Sequence, residues 1–241
     1  MLNTILFDLD GTLLDLDLDF FMEQYFKALV PKMAHLIPPQ KFLPDLIAAT
    51  VTMMKNTNPQ RTNQEVFIED FQLRVSYTEE QLMPLFADFY QNEFAELKQF
   101  TKCNNLAKKV VQKAIDKGYE VAVATQPVFP YQAIKYRLDW AGVGDLPFKL
   151  ITSYEQSHFC KPNTAYFKEI LDKLNRQPEE CLMVGNDVDD DLPAGDLGIR
   201  TYLLTDCLLN RRGRTDYRTD YTGCMEDLYK FVDDLPRLFN K

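Results

Sequence analysis

No stretch of this 241-residue chain approaches the roughly 18 consecutive apolar residues that a membrane span needs, so nothing in it is expected to anchor to a bilayer. Its first residues, MLNTILFDLD, lack a basic start, and the apolar run meets Asp8 too early for the core of a signal peptide. A cytoplasmic protein is the expectation. A basic stripe is missing as well. The formal net charge is −9, which disfavours a nucleic-acid partner, because binding a polyanion requires clustered cations. The short basic cluster Arg211, Arg212, Arg214 reads as a solvated loop. The five cysteines, Cys103, Cys160, Cys181, Cys207 and Cys224, are odd in number and far apart. They show neither CxxC nor zinc spacing, so they read as reduced thiols, Cys181 in the core and Cys160 beside Lys161. Internal repeats and low-complexity linkers are absent too.

What is present is a globular composition, 46% hydrophobic and 26% charged, in a chain long enough for one large domain or for a domain carrying a smaller one. From residue 101 onward, strand-length apolar runs alternate with helical patterns, the signature of β-α-β units around a parallel sheet. Asn104 caps a predicted helix that runs through Asp116, with Gly118 as its stop. Strands are predicted at Tyr119 to Ala124, Phe148 to Thr152, Cys181 to Val184 and Thr201 to Leu204. Helices are predicted from Pro130 to Trp140, Thr164 to Leu174 and Met225 to Leu235. Thr4 to Leu9 adds an N-terminal strand.

Between Asp19 and Gln99 no strand alternation occurs. Phe20, Phe21, Tyr25, Phe26, Phe67, Phe71, Phe86, Phe89 and Phe94 recur at helical spacing and read as bundle core. Pro31, Pro38, Pro39, Pro44 and Pro59 divide the segment into several helices, Thr78 with Gln81 can form a capping box, and Pro84 implies a kink or a later start. Met22, Met33, Met53 and Met54 read as helix packing, and His35 as a structural histidine. The expected architecture is therefore α/β. A Rossmann-like parallel core is built from residues 1–15 and 101–241, and an α-helical insertion, 16–100, sits where parallel sheets place their ligands.

The chemistry concentrates in Asp8-Leu9-Asp10-Gly11-Thr12, directly after the apolar run Ile5-Leu6-Phe7. Alternation at a strand end puts Asp8 and Asp10 on one side, and Gly11 permits a tight turn. Two carboxylates about 4 Å apart repel by on the order of 4 kcal/mol at an effective dielectric near 20, which a hard divalent cation such as Mg²⁺ reverses. Asp15, Asp17 and Asp19 repeat the spacing without a buried strand before them and read as the polar exit toward the insertion. Three later segments supply complementary groups. Thr125, with Gln126 after it, ends a buried strand and can hydrogen-bond a phosphoryl oxygen. Lys161 precedes Pro162 and a helix start. The acidic run Asn186-Asp187-Val188-Asp189-Asp190-Asp191 follows the strand CLMV.

In order, these four segments resemble the motifs of the haloacid dehalogenase-like hydrolase superfamily, and the insertion resembles its cap between the first and second motifs. The resemblance implies that Asp8 is the nucleophile and Asp10 the acid/base, with Thr125 and Lys161 completing the catalytic set. It implies phosphoryl contacts from Gly11, Thr12, Thr125, Gln126 and Lys161, and Mg²⁺ held at Asp8, Asp10, Asp187 and Asp191. Gln126 stands where the family often has Asn, and Gly-Asn-Asp replaces Gly-Asp, so Asn186 and Asp190 remain alternative placements. The implied activity is Mg²⁺-dependent hydrolysis of a small phosphorylated metabolite by a monomer or homodimer. A phosphomutase of the same superfamily or a non-catalytic metal- or phosphate-binding protein are the alternatives. A dehalogenase is disfavoured by the intact DLD and the acidic cluster.

Overall fold

The computed structural model describes residues 1–238, so the last three residues of the expected core lie outside the described part. Five parallel strands form one sheet in the order β4-β1-β5-β6-β7: β1 Thr4–Phe7, β4 Glu120–Val123, β5 Cys181–Gly185, β6 Arg200–Leu204 and β7 Tyr221–Gly223. In the three inner strands the near-continuous apolar runs are buried on both faces, as parallel sheets require. Ile5 and Phe7, Val121 and Val123, and Leu182 and Val184 face one layer. There α5 (Asn105–Asp116) and α8 (Met225–Asp234) pack against each other and against the sheet. Leu6, Ala122 and Met183 face the opposite layer, with Tyr166, Phe167 and Ile170 of α7 (Thr164–Leu174). The side-chain period of two thus splits each strand between two helical layers.

The strand registers bring Phe7 level with Val123 on one side and Val184 on the other. The residues that follow, Asp8, Ala124-Thr125 and Gly185-Asn186, therefore leave the sheet at the same edge. α6 (Tyr131–Trp140) follows β4. A two-residue antiparallel pair, β2 Leu14–Asp15 with β3 Lys102–Cys103, brackets the segment between them.

That segment is helical: α1 Leu18–Met33, α2 Pro39–Met54, α3 Asn63–Val75, α4 Glu79–Gln91 and a 3₁₀ turn Phe94–Phe100. Asp17 caps α1 by accepting from the Phe20 N–H at 3.0 Å, which explains an acid that no metal needs. Its interior is aromatic, with Phe67 stacked on Phe71 and both edge-on to Phe86. It joins the sheet's helices through Phe94 stacked on Trp140 and Tyr25 edge-on to Phe129. A second join is polar. Asn63, buried at the start of α3, donates from Nδ2 to the Pro127 carbonyl at 3.1 Å, and its N–H donates to the Ser157 carbonyl at 2.8 Å.

Two expectations are corrected. Pro31 and Pro44 lie inside α1 and α2 rather than dividing them, and Pro84 lies inside α4, which starts before it at Glu79. All three are exposed, so water can take the carbonyl that the missing N–H leaves. The stretch Phe148 to Thr152 runs beside β4, with the Lys149 N–H on the Val121 carbonyl and the Val123 N–H on the Leu150 carbonyl, both at 2.8 Å, but it closes only the single bridge Val123 to Ile151 and not a regular strand. Its other residues are half or fully exposed along the sheet's edge up to Leu150. β7 escaped sequence reading because Tyr221-Thr222-Gly223 is short and solvent-facing. Replacing Asn63 with alanine removes the donor to the Pro127 carbonyl. It is expected to lower unfolding free energy by about 1–3 kcal/mol, measured by urea denaturation.

Candidate active site

β1, held between β4 and β5, is followed directly by Asp8, whose Oδ1 accepts from the Lys161 ammonium at 2.9 Å. Lys161 is 2% exposed, and its Nζ also donates to Asp191 Oδ1 at 2.6 Å. Asp191 Oδ2 accepts from the Asp187 N–H at 2.9 Å, so Asp191 is itself held in place. Gly185 makes this possible: a Cβ there would sit 2.0 Å from Asp191 Oδ2. Burial pushes the Asp8 and Asp191 carboxyls up, Asp191 to about 7, against the pull of Lys161. Burial disfavours the ammonium too, but Asp191 and Asp8 outweigh it and hold Lys161 well above its ordinary value. One ammonium between two carboxylates leaves a net negative charge in a dry place.

Gln126 fixes the lysine's backbone. Its Oε1 accepts from the Lys161 N–H at 2.9 Å, and its Nε2 donates to the Lys161 carbonyl at 3.0 Å and to Asp190 Oδ2 at 3.3 Å. Burial, then the charge of Asp187, raises Asp190 to about 6. Thr125 is buried beside Asp8, and its carbonyl accepts from the hydroxyls of Thr152 and Tyr166, both at 2.8 Å. Asp8, Asp10, Thr125, Gln126, Lys161, Asp187, Asp190 and Asp191 all face one cavity of about 510 Å³. Gly11 and Thr12 do not line it. The Thr12 hydroxyl donates to Asn186 Oδ1 at 2.9 Å, and Gly11 has a φ of +80° with Asn186 Nδ2 2.3 Å from where a Cβ would stand. They brace the first loop against the fourth.

Asp10 pairs through Oδ2 with Arg137 Nη1, and its Oδ1 is buried with no partner among the described residues. Arg137 is 1% exposed, with its guanidinium 4.5 Å from the Phe129 ring centre. Asp187 spends Oδ1 on the N–H groups of Asp189 and Asp190, at 2.8 and 3.1 Å, and Oδ2 on Arg211 at 3.0 Å. Among the described residues no three acidic, histidine or cysteine side chains form a ready-made metal ring. The donor chemistry nonetheless fits a hard cation. The aspartates at 8, 10, 187, 190 and 191 meet the cations Lys161, Arg137 and Arg211, an excess of two negative charges when all are ionised, and one buried carboxylate oxygen stands unpartnered.

The family model for haloacid dehalogenase-like hydrolases matches residues 2–196, which include every one of these groups except Arg211. The chain belongs to the haloacid dehalogenase-like hydrolases. It is 22% identical over 237 residues to pyrophosphatase PpaX of Bacillus cereus (strain ATCC 10987 / NRS 248), covering 98% of this chain and 99% of the relative. Its fold matches an HAD phosphatase from Thermococcus onnurineus with a TM-score of 0.63 at 16% identity, covering 98% of this chain and all of that one. It also matches the L-2-haloacid dehalogenase of Xanthobacter autotrophicus with a TM-score of 0.57 at 14% identity, with the same coverages.

Two residues of this haloacid dehalogenase-like hydrolase escaped the sequence reading. Arg137 carried a signal: it falls on the buried stripe of α6 with Ala133, Ile134 and Leu138, where a lone arginine needs a buried partner. Arg211 carried none in its own segment. Leu209 bridges to Asp187, which sets Arg211 against the acidic run, so the exposed loop cation expected there also pairs with Asp187. Among the described residues no helix is long and apolar enough to cross a membrane.

Removing Arg137 as Arg137→Met strands a buried carboxylate. We expect a loss of about 3–5 kcal/mol in unfolding free energy at neutral pH, far beyond that of an exposed Arg→Met control. The thiols divide by burial. Cys103 is exposed, whereas burial pushes Cys160 up to about 12, so iodoacetamide on the native protein should label Cys103 and spare Cys160, as read by peptide mass spectrometry.

Proposed function

We propose that this hydrolase is a Mg²⁺-dependent phosphatase that cleaves a small phosphomonoester through an aspartyl-phosphate. The observation that carries the reading is the Asp8–Lys161–Asp191 chain on a cavity floor. A nucleophilic carboxylate stands there beside a buried ammonium whose position a second carboxylate holds. In the first step Asp8 attacks phosphorus, the bond to the leaving oxygen breaks, and Asp10 gives that oxygen its proton. In the second, Asp10 takes a proton from water, the oxygen of which attacks phosphorus and frees Asp8 and inorganic phosphate. Burial raises the Asp10 carboxyl, which favours the protonated acid the first step needs, while Arg137 pulls the other way and fixes its orientation. Lys161 and the backbone around Thr125 take the phosphoryl oxygens.

Asp8, the Asp10 carbonyl and Asp187 are the groups that would hold Mg²⁺, with Asp190 as a further carboxylate on the same cavity. Bound there, the ion offsets the repulsion between an anionic nucleophile and an anionic phosphate. Asp191, with both oxygens committed to Lys161 and the Asp187 N–H, serves as the lysine's anchor in this reading. Helices α1–α4, within 16–100, act as the cap over the core of 1–15 and 101–241, and the partner is a small phosphorylated metabolite in the cytoplasm.

A second reading, hydrolysis of a carbon–halogen bond, draws on the commitment of Asp10 to Arg137, since that reaction uses the first carboxylate alone. With Mg²⁺ and an aryl phosphate, phosphate release is expected from the native protein. A loss of at least about a thousandfold is expected in Asp8→Asn or in excess chelator. Turnover that survives Asp8→Asn sinks the mechanism. Halide release from a 2-haloacid without phosphate release establishes the second reading instead.

A further inference from the structure

The cavity has two unlike halves. Its floor is the acidic and basic cluster at the strand ends, while its roof and side wall come from α1–α4. Among the described residues those helices contribute no lysine, arginine, histidine, acid or side-chain amide to the lining. Met22 and Phe26 come from α1, Ile47, Val51 and Met54 from α2, and Met83 from α4. The polar groups among the helix contributions are engaged within the helices. The Tyr25 and Tyr90 hydroxyls bond each other at 2.9 Å, and the Thr50 hydroxyl bonds the Leu46 carbonyl of its own helix at 2.9 Å.

An independent observation comes from α2. Its packed stripe is Phe42, Leu46, Ala49 and Met53, all buried. Ile47, Val51 and Met54, at spacings of four and three, form a second apolar stripe that remains 46%, 39% and 37% exposed and faces the cavity. Helix packing needs one such stripe. The second has no protein partner among the described residues, and it continues directly from the floor where Asp8 stands. Of the methionines expected as packing residues, Met33 and Met53 are buried in the core, Met22 packs against the core and also lines this wall, and Met54 stands on the wall.

A leaving group that carries charge or several hydroxyls would lose its hydration against this wall with nothing to replace it. Pyrophosphate is the sharpest case, because its leaving group is itself an anion and the cations at hand, Lys161 and Arg211, belong to the floor. We propose that the substrate is a phosphomonoester with an apolar leaving group, an alkyl or aryl alcohol, whose hydrocarbon part is bound by Ile47, Val51 and Met54 with Met22, Phe26 and Met83. This rests on the phosphatase reading and names the substrate class for it. The cavity of about 510 Å³ lies within the range of small-molecule sites.

The test is a series of n-alkyl phosphates from methyl to hexyl, with pyrophosphate and glucose 6-phosphate alongside, read as kcat/KM from phosphate release with Mg²⁺. Each added methylene is expected to raise kcat/KM about fourfold until the wall is filled. Hexyl phosphate should exceed both polar substrates. The double variant Ile47→Gln, Val51→Gln changes two partly exposed positions that the core does not depend on. It should cut the hexyl-to-methyl ratio about tenfold. A flat or falling series, a faster reaction with pyrophosphate, or an unchanged ratio in the double variant overturns the inference while leaving the phosphatase reading in place. Absence of turnover with every phosphate ester overturns both.

Discussion

The buried ammonium of Lys161 is the group on which the site depends. It has to be charged to be useful to a phosphate, yet burial opposes that charge, and only the carboxylates of Asp8 and Asp191 make it stable where it stands. Each of those acids is in turn placed by the sheet. Asp8 follows β1, and Asp191 reaches back over Gly185 at the end of the neighbouring β5. Gln126, after the strand on the other side, grips the lysine's main chain from both its N–H and its carbonyl. Three adjacent strands therefore converge on one side chain, and the register between them fixes the site.

The same cluster explains why the acidic floor is unfinished by protein alone. Lys161 serves two carboxylates, Arg137 is committed to Asp10 and Arg211 to Asp187. What remains is negative charge in a partly dry cavity, where burial first and the charge of Asp187 second raise Asp190 to about 6. A cation and an anionic substrate arriving together suit such a floor better than either alone, because each reduces the desolvation cost of the other.

Much of this was legible in the sequence because strand ends are. An apolar run of strand length followed abruptly by a polar residue marks the edge of a parallel sheet, and Asp8, Thr125 and Asp187 are each read that way. The helix before β4 was also legible from its cap, since Asn104 accepts from the Leu106 N–H, whereas the cap that Asn163 makes on α7 through the Ala165 N–H is a finding of the structure. What sequence could not supply was partnership across long separations. Nothing local says that Arg137 faces Asp10 or that Leu209 brings Arg211 to Asp187. Proline was misleading for a related reason: whether it breaks a helix depends on whether water can reach the freed carbonyl, and that is a property of the face it occupies.

The division of the cavity follows from how the chain is assembled. The floor is polar whatever the substrate, because it is built from loops at strand ends, where backbone and carboxylate groups face the cavity. The helical wall is under no such requirement. A helical insertion needs one apolar stripe per helix to hold its own core, and its other faces can be polar at no cost to folding. That α2 spends a second face on isoleucine, valine and methionine therefore cannot be assigned to the stability of the bundle, which Phe42, Leu46, Ala49 and Met53 already serve. Exposed apolar area that faces a reactive floor acquires its use when a ligand covers it. The chemistry of the reaction is thus written at the strand ends, and the choice of substrate on the helix face opposite them.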